Sequence, residues 1–240
     1  MASDPRQIVD LSISATLRHW EARLRYTYLQ REESRRKDLA GHIKSEDVEL
    51  SRRILVNGIP FEQLVERNGK PPAAEDERKQ REKLDRLKRE TPQERAEQLR
   101  KQEEENAAII EEVPKAFNFE LVGEETVSGR PAYVLRATPR PGYQPRGKYG
   151  KMFPKVEGKL WVDKEDHAWI KADGQVIQPI SLGLFLARVL RGSQLTMEQT
   201  RIGEGVWMPE RVVVRAVARI FLVKSLVVEQ ILTYSEYKLP

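Results

Sequence analysis

The sequence contains no cysteine, which excludes disulfides, cysteine-ligated zinc, iron–sulfur clusters and thiol nucleophiles. It also lacks any run near the roughly 18 apolar residues that a membrane helix needs. Its most apolar stretch, residues 176–190, is interrupted by Gln178, Pro179 and Arg188. We therefore expect no transmembrane segment, while the absence of cysteine suits both the cytoplasm and the periplasm.

Sequence signatures of catalysis are missing as well. No serine nucleophile elbow, HExxH zinc motif or glycine-rich dinucleotide fingerprint occurs. The acidic group of Asp163, Glu165 and Asp166, followed by His167, is predicted to lie on a short hairpin. Consecutive side chains point apart there, so a structural turn is favoured over a metal site. The sequence predicts no enzyme, no metal and no cofactor, and an enzyme that uses scattered carboxylates is the weakest alternative.

Positive charge is in slight excess. The chain has 42 Lys and Arg against 37 Asp and Glu, a net charge of +5. Residues 75–112 hold 10 basic and 13 acidic residues, so the surplus is carried by the rest of the chain. It is dispersed along the sequence, whereas nucleic-acid binding needs clustered positive charge. We therefore expect no nucleic-acid partner.

Residues 73–112 are predicted to form a charged helical insertion. Many acidic residues precede a basic residue by four positions, the favourable order on a helix. Thr91-Pro92-Gln93-Glu94 has the form of a capping box, which predicts two helices with a break near residue 91. The few apolar residues form a narrow stripe of Leu84, Leu87, Ala96 and Leu99. The insertion is therefore either a solvated arm or a mobile lid or partner surface.

The rest of the chain reads as one helix followed by strands. Apolar residues recur at helical spacing over 5–20, which predicts an amphipathic helix. Strands are then expected at 24–28, 43–56 and 61–67. The chain is β-rich from residue 117 onward, with residues 181–190 ambiguous between helix and strand. This order predicts an α+β protein with roughly eight to eleven strands in one large curved antiparallel sheet.

The clearest alternation is at 211–222. One face of this strand is wholly apolar and is formed by Val212, Val214, Ala216, Ala218, Ile220 and Leu222. A large sheet must bury such a face, and one helix over 5–20 is too short to cover it. The remaining apolar area predicts a second layer, a closed barrel or a ligand cavity.

Three stretches carry a family resemblance: VSGRPAYVL at 127–135, GKLWVD at 158–163 and GVWMP at 205–209. In order and spacing they resemble the outer-membrane lipoprotein-sorting (LolA-like) superfamily. That group includes the periplasmic lipoprotein carrier, its outer-membrane receptor and RseB-like regulators of envelope stress. The resemblance implies a single domain over 1–240, containing the insertion 73–112. It also implies an incomplete, strongly curved antiparallel barrel whose concave side is covered by helices and holds acyl chains.

Two functions follow as hypotheses. The first is a non-enzymatic periplasmic carrier that holds lipid or lipoprotein acyl chains in the hollow of the sheet. Its expected cavity residues are Leu24, Tyr26, Tyr28, Tyr133, Leu135, Val212, Val214, Ala216, Ile220 and Leu222, with Leu184, Phe185 and Leu186 as a gate. The second is an envelope protein-interaction or stress-sensing module with a self-filled core, which binds partners through 73–112. The N-terminal MASDPRQIVD has no signal-peptide pattern, so the sequence is either a mature periplasmic chain with an added Met or a cytoplasmic protein.

Overall fold

The computed structural model describes residues 4–18, 20–146, 149–182, 187–203, 205–220 and 224–240. Its helices are α1 (Pro5–Arg18), α2 (Trp20–Leu24), α3 (Ala74–Arg89) and α4 (Pro92–Ala116), with a 3₁₀ helix at Gly150–Lys155. The first strands are β1 (Thr27–Lys37), β2 (Ile43–Val56), β3 (Ile59–Arg67), β4 (Phe117–Val127), β5 (Arg130–Pro139) and β6 (Val156–Asp163). The others are β7 (Trp169–Val176), β8 (Ile180–Leu182), β9 (Ala187–Val189), β10 (Gln194–Ile202), β11 (Val206–Ile220) and β12 (Lys224–Lys238).

All twelve strands belong to one antiparallel sheet. Ten of them follow the order β3-β2-β1-β12-β11-β10-β7-β6-β5-β4, while β9 pairs with β11 and β8 pairs with β9. Within the described residues the sheet does not close, because β3 and β4, the two ends of this order, do not pair with each other. This confirms the predicted α+β class and the incomplete barrel. The strand count exceeds the expected range because the ambiguous 181–190 segment contributes short strands on either side of residues 183–186.

The insertion joins the two edges of the open sheet. Helix α3 packs on edge strand β3, where Gln80 Oε1 accepts a hydrogen bond from the backbone N–H of Leu64 at 2.7 Å. Asp76 on α3 also pairs with Arg67 of β3 at 2.7 Å. Helix α4 contacts α1, the 3₁₀ helix and edge strand β4. The two helices therefore cross the open side of the barrel.

Three side-chain clusters form the core of the part of the chain that the structure describes. The first contains Ile8 and Val9 of α1 with Leu135 and Val162 of the sheet. The tyrosine cluster contains Tyr26, Tyr28, Val206 and Met208, with Tyr234 and Tyr237 against it. The tryptophan cluster contains Ala132, Val134, Trp161, Ala168, Ile170 and Trp207. Val134 and Leu135 are consecutive and both buried, so this part of the sheet is covered on both faces, although one apolar face per strand was expected.

Several element boundaries differ from the sequence prediction. The first helix ends at Arg18, and Leu24 is the last residue of the separate helix α2 rather than part of a strand. The chain turns after α2 through hydrogen bonds from the Arg25 and Tyr26 amides, so β1 begins only at Thr27. The insertion breaks near residue 91 as predicted, and its second helix continues to Ala116. Among the described residues, no helix is both long and apolar enough to span a membrane.

Candidate functional site

The predicted cavity residues Tyr26 and Tyr28 lie in the tyrosine cluster. Each is 8% exposed, and the Tyr28 ring meets those of Tyr234 and Tyr237 edge-on at centroid distances of 5.5 and 5.6 Å. Burial raises the pKa of Tyr234 to about 12 and raises that of Tyr237 further. The Arg53 guanidinium carbon lies 5.3 Å from the centre of the Tyr28 ring. Native side chains therefore fill the space around these two tyrosines.

Leu135 is packed under the first helix. It has no exposed surface and contacts the cluster that contains Ile8 and Val9 of α1. Tyr133 is half-buried against the same cluster, and the Lys164 Nζ lies 4.7 Å from the centre of its ring. The protein's own helix thus covers this part of the concave face.

The predicted residues of β11 form a continuous but partly exposed row. Val212, Val214 and Ala216 are opposite Leu232, Gln230 and Val228 of β12 and are half-buried. They belong to none of the three core clusters found among the described residues. Leu184, Phe185, Leu186, Leu222 and the side chain of Ile220 lie outside the described residues.

A groove lies between helix α4 and the start of the barrel. It has a volume of about 420 Å³, and its apolar walls come from Leu24, Leu55, Ala96 and Leu99. Gly58 of the β2–β3 turn and the charged residues Arg25, Arg100 and Glu103 complete its lining. Of the residues predicted for the cavity, only Leu24 contributes to this groove. The sparse apolar stripe of the insertion was the sequence signal for Ala96 and Leu99.

Two further grooves follow the insertion. Helix α3 and strand β3 enclose about 570 Å³, lined by Arg52, Phe61, Gln63, Leu64, Val65, Pro72, Glu77, Gln80, Arg81 and Leu84. The end of α4 and the 3₁₀ helix enclose about 330 Å³, with Ala108, Ile109, Tyr149 and Phe153 as apolar lining. Space therefore remains between the insertion and the barrel at three places along its length.

Helix α4 of the insertion is held mainly at its C-terminal end. Glu112 accepts a hydrogen bond from the Tyr143 hydroxyl at 2.7 Å and pairs with Lys115 at 3.0 Å, which together lower the pKa of Glu112. Arg140 donates hydrogen bonds to the backbone carbonyls of Pro114 and Phe117, each at 3.0 Å. No residue of α3 is buried, and in α4 only Glu112 and Ala116 are. The capping box begins α4, with Thr91 and Glu94 exchanging hydrogen bonds.

The acidic group at 163–167 is a charge network within a turn. The Asp163 carboxylate is buried and accepts hydrogen bonds from Arg130 at 2.6 and 2.9 Å. It also accepts hydrogen bonds from the backbone N–H groups of Glu165 and Asp166 at 2.9 and 2.7 Å. Asp166 in turn accepts hydrogen bonds from the Arg201 guanidinium and from the Trp207 indole N–H. These contacts organise the β6–β7 turn, as the sequence predicted.

Comparisons with known proteins gave matches among solved structures. Neither protein-family models nor curated proteins match the chain. A DUF1329 family protein from Desulfovibrio piger is 11% identical, with 99% of this chain and 94% of that chain covered and a TM-score of 0.37. A LolA superfamily protein from Nitrosomonas europaea is 13% identical, with coverages of 100% and 94% and a TM-score of 0.34. The Pseudomonas aeruginosa MucA/MucB complex gives 13% identity, coverages of 97% and 94% and a TM-score of 0.25.

Proposed function

We propose that this protein is a non-enzymatic, periplasmic binding protein that holds an acyl chain of a lipid or lipoprotein. The groove beneath α4 carries the proposal, because Leu24, Leu55 and Leu99 give it apolar walls of suitable size. Each buried methylene would contribute about 0.8 kcal/mol. Arg25 and Arg100 lie at the same groove and suit an acidic head group. The site is thus next to the hollow predicted from the sequence rather than in its centre.

The insertion would act as the lid of this groove. Helix α4 is fixed at its C-terminal end, and the half that carries Ala96 and Leu99 has no buried residue. Segments with few buried apolar contacts open at low free-energy cost. An acyl chain that enters would replace water against the apolar walls and draw α4 onto the barrel. Ligand binding is therefore expected to slow amide exchange in residues 92–103.

Uptake of a fluorescent fatty acid tests the groove. Leu99→Lys places a charge on its wall and should weaken uptake at least tenfold. Leu87→Lys is the matched control, since Leu87 is a half-buried leucine of the same insertion outside the groove lining. Mass spectrometry of the denatured wild-type protein should also find copurified lipid. Absence of both lipid and uptake in the wild type, or equal uptake by both variants, would contradict the proposal.

A second candidate function is an envelope protein-interaction module that uses the insertion as its contact surface. The filled clusters around Leu135 and Tyr28 favour it, because a core closed by native side chains needs no ligand. The same experiment separates the two functions. Fatty-acid uptake that depends on Leu99 supports the carrier, whereas wild-type protein without uptake or copurified lipid favours the interaction module.

A further inference from the structure

The antiparallel topology gathers several chain connections at one end of the sheet. Register pairs Lys37 with Val227, Gln194 with Gln175 and Val156 with Val176 at this end. The described parts of the connections that leave from it are residues 38–42, 140–146 with 149–155, and 177–182 with 187–193. We call these connections and the strand ends that flank them the basic end.

Charge at the basic end has one dominant sign. Residues 140–146 and 149–155 contain four Lys and Arg and no acidic residue, and residues 187–193 contain two Arg and no acidic residue. The connection 38–42 contains one acidic residue, Asp38, which pairs with Lys44 at 3.0 Å. Arg36, Lys37 and Arg219 are on the flanking strand ends. The β6–β7 turn at the opposite end, 163–168, contains the acidic residues Asp163, Glu165 and Asp166 by contrast. The fold therefore brings part of the dispersed positive charge together at one end of the sheet.

Several of these cations are available to a partner. Arg36, Lys151, Arg191 and Arg219 are exposed, and none of them takes part in an ion pair found among the described residues. Other basic residues nearby have structural partners: Lys37 pairs with Glu229, and Arg140 binds the carbonyls that end α4. The exposed set would lie against an anionic surface without breaking contacts inside the protein.

Large apolar side chains protrude from the same end. Leu39 and Ile43, at the β1–β2 turn, are 66% and 56% exposed, and Leu195 at the start of β10 is 41% exposed. Phosphate groups of a nucleic acid make no use of exposed aliphatic side chains. A lipid surface uses both features, since aliphatic groups enter the boundary between head groups and acyl chains while cations remain at the phosphates.

We propose that the basic end is a docking surface for an anionic phospholipid membrane. Leu39 and Ile43 enter the head-group boundary, and Lys151 and Arg191 contact lipid phosphates. This attachment is peripheral and independent of the groove beneath α4, so either proposal stands if the other fails. It would present the protein end-on to the membrane, with the strands pointing away from the surface.

Cosedimentation with vesicles tests the docking surface. The vesicles contain phosphatidylcholine with about one third phosphatidylglycerol, and pure phosphatidylcholine vesicles serve for comparison. Each cation near such a surface strengthens binding about fivefold, so Lys151→Gln with Arg191→Gln should weaken it about 25-fold. The control is Lys83→Gln with Lys88→Gln, two exposed cations of α3 with the same change in net charge. The control should change binding less than threefold.

A second pair of variants tests the apolar contribution. Leu39→Asn with Ile43→Asn should weaken vesicle binding at least fivefold, whereas Leu239→Asn, 60% exposed at the C-terminus, should not. The proposal is overturned if the wild-type protein does not bind anionic vesicles at low salt. Equal weakening by the two charge variants also overturns it, since net charge alone would then explain binding. Tight binding to duplex DNA without vesicle binding would assign the surface to nucleic acid instead.

Discussion

Replacing Arg130 with methionine should remove a large part of the stability of this protein. The Asp163 carboxylate has no exposed surface, and Arg130 is its only cationic hydrogen-bond donor among the described residues. Arg130→Met would leave the buried charge with the two backbone amides of the β6–β7 turn and no counter-ion. Breaking a buried ion pair from one side costs about 3–5 kcal/mol. Stabilities of native proteins are about 5–15 kcal/mol, so urea unfolding would detect this loss easily.

The pH dependence of that loss is a sharper test. Burial alone raises the pKa of Asp163, but hydrogen bonds from Arg130 and the turn amides outweigh burial and lower the pKa overall. A lowered carboxyl pKa stabilises the fold above the unfolded value, about 3.9, and this contribution is lost as pH falls through the folded pKa. Without Arg130 the carboxyl should instead be protonated easily. The difference between variant and wild type should therefore be largest near pH 7 and shrink below about pH 4.

Arg136→Met is the control for this experiment. Arg136 is also on β5 and pairs with Glu120 at 3.0 Å, but both side chains are more than half exposed. Exposed pairs contribute about 0–1 kcal/mol, so this variant should unfold close to wild type at every pH. A loss below about 1 kcal/mol for Arg130→Met, or one that stays constant down to pH 3, would refute the reasoning.

Three further predictions concern the core and the insertion. Leu135→Ala should lower the free energy of unfolding by about 2–5 kcal/mol in urea, while Leu195→Ala at a 41% exposed site should cost below about 1 kcal/mol. Tyr143→Phe removes the hydrogen bond to Glu112 and should speed amide exchange in the last turns of α4, and unchanged exchange would contradict the anchoring role. Tyr234 should ionise near pH 12 in an absorbance titration, and stability should fall as pH rises above about 10, because the fold favours the neutral ring.

Local sequence signals predicted the local structure well. The alternation over 211–220 is a strand, and the Thr91–Glu94 capping box starts α4. Asn57 and Gly58 form the tight β2–β3 turn, with φ angles of +52° and +84° that asparagine and glycine tolerate. In each case the residues that decide the conformation lie within a few positions of one another. The antiparallel pairing followed because most connections between strands are short, whereas the open barrel was implied by the family resemblance.

Features that depend on distant pairs could not be predicted in the same way. β1 pairs with β12 across almost the whole chain, and this pairing brings Tyr28 to Tyr234. Leu24 was expected in a strand because its spacing from Tyr26 fits a period of two, but the chain turns between them. The sequence showed Leu99 as part of the sparse apolar stripe of the insertion. That Leu99 faces Leu55 across the groove depends on how α4 lies over the β2–β3 turn, which the sequence does not show. The basic end likewise arises from topology.

The insertion has a structural role that is separate from any ligand. An open sheet exposes the unpaired backbone groups of its edge strands, which invites pairing with other chains. Helix α3 blocks such pairing at β3. Gln80 accepts a hydrogen bond from the outward-facing backbone N–H of Leu64, and Asp76 pairs with Arg67. Deleting the insertion would therefore expose an edge strand and empty the groove together, and aggregation would conceal any effect on binding. Leu99→Lys leaves α3 on β3, so a loss of fatty-acid uptake in that variant can be assigned to the groove alone.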